Sequence, residues 1–438
     1  MILGILFFII GLLWGLKNKY IVPFYYVIWL TLLPYFVDIV FPFKEIENLF
    51  SFRTFASYYI FTMLSIQLLY KRAILVTLIK KNGYVLLSLL LLVLYFTYLS
   101  LIRDVGINYL SYLRSNLSPV FLFLYLSIIT PKPKDLIKFI IITLSIQIFI
   151  GLIQEFTVMG NFSFNKEGNG VVSFLTGGFT GNNLYADFLT FTSIIILLEF
   201  RYNNKFFSRK LVPILFILSF FLIFNSGIRL ALGSLIIGVI LHLFKDYKIT
   251  RIFIYVVIFF SLFLFNYGLS SILETNVVND WHVTSNSERQ SGLLGVFKGW
   301  EYLQYSTIFY SWVLISEFFV NNPFFGSGLY FTTQGYGGVV SYLTSNATDV
   351  TLALFITEFG VFGLLLLFYN FRSILYANNN LFFKKKLFIP IIILTLISIT
   401  DSGIFDTIIM SYLYLYIFIH KPIKLKNHET NNIGSQTL

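Results

Sequence analysis

The sequence predicts an all-α, polytopic integral membrane protein with about thirteen spanning helices and one large extracytoplasmic loop. Three observations predict it. Of 438 residues, 57% are hydrophobic and 12% are charged, with a mean hydropathy of +0.81, whereas a soluble domain carries about 25% charged residues. Apolar runs near the length needed to cross a hydrocarbon layer of about 30 Å recur along the whole chain. Basic residues fall in alternate connections between those runs.

The runs can be taken in order. The first, 2–16, has no basic segment before it and is followed by Lys17 and Lys19, so a retained helix is expected rather than a cleaved signal peptide. Runs 20–43, 54–70, 83–102, the short 115–130, 136–159 and 180–200 follow. The block 211–244 is interrupted only by Ser226-Gly227-Ile228-Arg229, which divides it into 211–227 and 228–244. The tenth run is 251–270. A long polar connection separates it from 348–371, 387–402 and 403–420. Residues 1–420 thus form one helical membrane domain with a loop, 270–346, inside it. The polar tail 421–438 is expected to be disordered. No repeat of fixed period and no inverted duplication is visible.

Orientation follows from the basic residues. One set of alternate connections holds 23 of the 31 lysines and arginines, among them Lys71, Arg72, Lys132, Arg201, Lys210, Lys245, Lys384 and Lys421. The other set holds only Lys44, Arg53, Arg103, Arg114, Lys166, Arg229, Arg289 and Lys298. The positive-inside rule makes the first set cytoplasmic. The N-terminus then lies outside and the C-terminus inside, which requires an odd number of spans. The net charge of +11 is accounted for by this distribution and does not indicate a nucleic-acid partner. The absence of cysteine excludes disulfides, thiolate nucleophiles and Cys-ligated metals. His242, His282, His420 and His428 have no ligand spacing, so no metal site and no cofactor is expected.

Connections as long as 270–346 are usually functional. Trp281, Trp300 and Trp312 lie in it. Leu293, Phe297 and Trp300 share one helical face, as do Trp312, Ile315 and Phe319, the pattern of short helices lying in a membrane interface; a well-packed extracellular cap would show the same pattern. The Gly-rich segments 326–328 and 335–338 carry no phosphate-loop lysine and are expected as turns.

Three stretches stand out: Gly177-Gly-Phe-Thr-Gly-Asn-Asn-Leu-Tyr-Ala186; Ser226-Gly-Ile-Arg-Leu-Ala-Leu-Gly233; and Trp312 with Asn322-Pro-Phe-Phe-Gly-Ser-Gly328, Asp349 and Glu358-Phe-Gly-Val-Phe-Gly363. Together they resemble the O-antigen polymerase/ligase family, whose members join lipid-linked glycans outside the plasma membrane. The ligases of the family carry a His about ten residues before a Gly-x-x-Gly. Here that spacing from Gly360 lands on Asp349, which favours the polymerase. An arginine often found four residues before the tryptophan is replaced by Ile308, and Arg289 is the nearest candidate to supply it. The resemblance implies a bacterial inner-membrane enzyme whose donor and acceptor are polyprenyl-pyrophosphate-linked oligosaccharides. Membrane lipids surround it, and a chain-length regulator protein is an expected partner.

Such a reaction releases a pyrophosphate as a sugar hydroxyl attacks an anomeric carbon. Guanidinium groups suit the leaving charge, being always ionised and binding phosphate through paired donors. A carboxylate suits the proton. The outer face offers Arg229 and Asp349 as catalytic candidates, with Arg103, Arg114, Arg289 and Asp187 to bind substrate. Structural alternatives stand beside each. Arg103 adjoins Asp104 and can form a solvated pair. Arg114 is expected to begin a helix, where it can anchor lipid phosphate. Arg289 follows Glu288 in a polar stretch. Asp187 can pair with an arginine, Asp349 can cap a helix, and Glu358 can make a structural hydrogen bond. Asp401 and Asp406 are expected as helix–helix contacts. Arg229, in a tight turn between apolar helices, is the position where an unpaired charge is costly. The rival functions are a ligase and a flippase. A flippase would place several charges at mid-membrane and show repeated halves, whereas few charges here lie deep in the runs.

Overall fold

The computed structural model describes residues 2–32, 49–70, 72–103, 108–156, 182–202, 210–226, 229–243, 323–326, 351–376, 381–400 and 407–420. Regular structure among these residues is entirely helical. The helices are α1 (Ile2–Lys17), α2 (Val22–Thr31), α3 (Leu49–Tyr70), α4 (Arg72–Arg103), α5 (Asn108–Ile129) and α6 (Pro133–Phe156). They continue as α7 (Asn182–Tyr202), α8 (Leu211–Asn225), α9 (Arg229–Leu243), α10 (Thr351–Tyr376), α11 (Leu381–Thr400) and α12 (Thr407–Ile419). Each falls on one of the expected apolar runs. The run 251–270, the aromatic faces of 293–319, Asp401, Asp406 and the tail 421–438 lie outside the described residues.

Local chemistry sets the helix ends. Thr130 takes a left-handed conformation (φ 44°) and closes α5, its N–H donating to the Leu126 carbonyl. Pro133 opens α6, where a missing N–H costs nothing, and Asp135 places negative charge in the first turn. The break between α8 and α9 falls at the Ser226–Arg229 interruption. Asn82 (φ −125°, ψ 24°) joins an amphiphilic first segment of α4 to the apolar run that follows it. One expectation is corrected. α5 begins at Asn108 rather than near 115, so Arg114 sits in its second turn and does not start the helix. Tyr109, Tyr112 and Leu113 continue the helical apolar spacing beyond the uninterrupted run, which stops at the first charge.

Side-chain contacts fix the helix directions. α1 and α3 are parallel, with Phe8 on Phe55 and the Tyr59 hydroxyl donating to the Gly11 carbonyl. α2 and α5 are antiparallel: Tyr125 donates to the Lys19 carbonyl and Tyr26 to Ser118. α7 runs with α9 through Thr190 Oγ1, which donates to the Ala231 carbonyl, and through Ile194 against Gly238. It also runs with α12, Phe188 lying on Tyr412 and Glu199 meeting His420. α4 and α10 are antiparallel, tied by Tyr95 to Phe359 and by Ser88 to Asn370. One end of the bundle therefore gathers the starts of α5, α7, α9, α10 and α12 with the ends of α4, α6 and α8. The opposite end carries the lysine- and arginine-rich connections. Because α9 and α10 run the same way, α9 ends at the Lys-rich end and α10 begins at the other.

α7 and α12 form the centre. Ile408–Ile419 are buried without exception, as are Leu184–Ile196. Tyrosine hydroxyls tie helices to neighbouring backbones: Tyr25 to the Phe7 carbonyl at 2.7 Å and Tyr185 to that of Gln147 at 3.0 Å. Gln147 donates in turn to the Thr31 carbonyl at 2.8 Å. Peripheral helices turn large apolar side chains outward, including Leu13, Tyr84, Leu101, Phe149, Ile217 and Phe368. Two helical segments, Asn82–Leu99 and Pro133–Phe156, are long and apolar enough to cross a membrane.

Candidate functional site

The turn Pro323–Gly326 is seated in a break in α10. Gly360 has φ 63° and ψ −169°, a conformation essentially reserved for glycine, and interrupts the helix. In an unbroken helix the Val361 and Phe362 amides would donate to Thr357 and Glu358. Instead they donate to the carbonyls of Pro323 and Phe324, both at 3.0 Å. The Tyr95 hydroxyl of α4 lies 2.5 Å from the Phe359 carbonyl oxygen and 3.0 Å from that of Phe325, bridging both sides of the break. Its ring packs on Phe362. A Cβ at Gly360 would stand 2.5 Å from the Gly326 nitrogen and 2.6 Å from the Phe324 oxygen. The close approach of two backbones requires glycine there.

A polar group lies where α6, α7, α8 and α9 meet at the same end of the bundle. Glu155, one residue from the end of α6, accepts a hydrogen bond at 2.9 Å from Nδ2 of Asn225, the last residue of α8. Gln154 and Ser226 are buried beside them, and Ser226 donates to the Ile223 carbonyl. On α7, Asp187 is only 2% exposed and stands one turn before Thr190. Thr190 bonds the backbone of Ala231, two residues into α9 from Arg229. The second and third turns of α7 thus lie beside the first turn of α9, carrying Asp187 and Arg229 to one level.

At the opposite end, Glu199 of α7 (1% exposed) meets His420 Nε2 at 2.5 Å, and the imidazole stands edge-on to Tyr416. Among the described residues no group of three or more acidic, histidine or cysteine side chains is placed to hold a metal ion.

The sequence-predicted residues fall as follows. Arg229 is the first residue of α9, at the expected break. Asp187 lies within α7 and is buried. Arg103 is the last residue of α4; the antiparallel register that pairs Ser88 with Asn370 and Tyr95 with Phe359 carries it to the level of the first turns of α10. Arg114 lies in α5, and Glu358 two residues before the α10 break. Arg289 and Asp349 lie outside the described residues, as do the side chains of Arg103, Arg114, Arg229 and Glu358. Sequence reasoning passed over Glu155, Glu199 and His420. Each sits at the end of an apolar run, where a charge looks solvated; the Glu199–His420 pair is 221 residues apart in sequence, and no local pattern announces it. No family model matches the chain and no curated protein matches its sequence, so the arrangement of the residues themselves carries the functional reading.

Proposed function

We propose that the chain is a multi-pass plasma-membrane glycosyltransferase that polymerises polyprenyl-pyrophosphate-linked oligosaccharide repeat units on the outer face. One observation carries this reading. The Pro323–Gly326 turn and the Gly360 break, two separate parts of the stretches that resemble the polymerase/ligase family, are hydrogen-bonded to each other. They lie toward the same end of the bundle as the start of α9 with Arg229, the buried Asp187 and the Glu155–Asn225 pair.

The membrane setting is supported by the apolar side chains turned outward from peripheral helices and by the two long apolar segments. Water would penalise that surface, whereas lipid accepts it. The reversal needed between α9 and α10 supports a further span, for which 251–270 has the expected length. In this orientation the Arg229 end faces outward and the Lys-rich end faces the cytoplasm.

Arg229 would hold the donor pyrophosphate through its planar fork. Asp349, eleven residues before Gly360, would take the proton of the attacking hydroxyl. The sugar oxygen then bonds to the anomeric carbon while the carbon–oxygen bond to pyrophosphate breaks, and the leaving group departs with the electron pair. Deleting the gene and separating envelope glycans by electrophoresis tests the reading. Single-repeat glycan is the expected product; unattached long chains would indicate a ligase instead, and loss of surface glycan a flippase.

A further inference from the structure

We infer that the ends of α6 and α8 form a sugar-binding site built from Glu155, Asn225, Phe156 and Phe221. This deepens the glycosyltransferase reading and rests on it for its orientation toward the outer face. The Glu155 carboxylate spends one oxygen on Asn225 Nδ2 at 2.9 Å. Glu155 Oε2 and Asn225 Oδ1 accept no hydrogen bond from any described residue. A carboxylate and a carboxamide tied together in this way each keep one further acceptor oxygen beside their shared hydrogen bond. Adjacent hydroxyls of a pyranose ring are the ligand chemistry that such a pair fits. Ionised acceptors also make the stronger hydrogen bonds.

The aromatic side chains beside them supply the other half. Phe156 follows Glu155 and stacks on Phe221 with ring centroids 6.2 Å apart and planes 9° from parallel. Phe221 and Asn225, four residues apart, share one face of α8. Phe156 is 73% exposed, so its ring is open beside the polar pair. The electron-rich face of an aromatic ring attracts the polarised C–H face of a sugar. A few placed polar groups beside apolar surface is the general composition of a small-ligand site. Asn225 is four residues from Arg229, so a sugar held here lies next to the turn assigned to the pyrophosphate. The position suits the acceptor chain.

The test uses full-length protein in nanodiscs and single repeat units cut from the host's own surface polysaccharide, with binding followed by saturation-transfer NMR. Glu155→Gln keeps an acceptor for Asn225 but removes the charge, and is expected to weaken binding about tenfold. Phe156→Ala, which removes an exposed ring rather than a core side chain, is expected to weaken it several-fold. Ile217→Ala, exposed on α8, should bind as the wild type does. Failure of the wild-type protein to bind, or equal binding by the Gln and Ala variants, overturns the site. Binding that follows the expected pattern in a protein whose deletion leaves polymer length unchanged would remove the polymerase reading and keep the site.

Discussion

Gly360 is the residue on which two chain segments depend. Its backbone angles cost a non-glycine residue about 1–3 kcal/mol, and a Cβ would also strike the backbone of Phe324 and Gly326. Gly360→Ala is therefore expected to lower stability by more than about 3 kcal/mol, read as a fall in the thermal midpoint of the detergent-solubilised protein. An unchanged midpoint would show that the turn does not seat there. Tyr95→Phe is the milder companion. It keeps the ring against Phe362 but removes the single O–H that the Phe359 and Phe325 carbonyls share, and should cost about 1–3 kcal/mol by the same measurement. At Arg229, the planar fork rather than the charge is at stake. Arg229→Lys is expected to shorten polymer substantially at normal membrane abundance. Asp349 separates two roles in a comparable way. Asn caps a helix about as well as Asp but is a very poor base. Asp349→Asn should thus accumulate normally and yield mainly single-repeat glycan; full-length polymer would make Asp349 a cap.

Among the elements, α12 shows how far the sequence can be taken. The apolar run 403–420 called for a helix, but only the contacts show Ile408–Ile419 buried on every side, since the equally apolar α1 exposes Leu13 and Trp14. The described helices were legible because long apolar runs need no tertiary knowledge to be seen. Less legible was what joins them. Tyr25, Tyr59 and Tyr185 donate to carbonyls of other helices and Tyr125 to one in the α1–α2 turn, but a tyrosine in an apolar run looks the same whether it meets lipid or a neighbour. The seating of Pro323–Gly326 at Gly360 was invisible for a similar reason: glycines announce a turn or a break, never its partner. Glu199 and His420 give this a testable form. Removing one member of a buried hydrogen-bonded pair costs about 1–3 kcal/mol. Glu199→Gln should lower the thermal midpoint, and adding His420→Gln should cost less than the two single changes summed. Strict additivity would mean that the contact contributes nothing to holding α12 on α7.

For the whole molecule, the decisive quantity is which end of the bundle faces which compartment. Side-chain contacts give the helix directions, and the basic residues give the expected sidedness. The Glu155–Asn225 bond and the Thr190–Ala231 bond place the ends of α6 and α8 with the starts of α7 and α9. The connections at the other end include Lys132, Lys134 and Lys210. On the proposed topology each cytoplasmic lysine or arginine opposes translocation, and the excess of 23 against 8 predicts one orientation. A reporter enzyme active only outside the cytoplasm is therefore expected to work when fused at Asn286 and to fail at Asn204. The two fusion points bracket α8 and α9, the hairpin that carries Arg229. With α8 and α9 both crossing, and one further span after Leu243, Asn204 and Asn286 must lie on opposite sides. The same activity at both positions would remove the span expected at 251–270 or one helix of the hairpin. Activity at Asn204 and none at Asn286 would turn the bundle over. Arg229, Asp187 and Glu155 would then face the cytoplasm, away from any lipid-linked glycan awaiting polymerisation outside, and the catalytic assignments would fall with the topology.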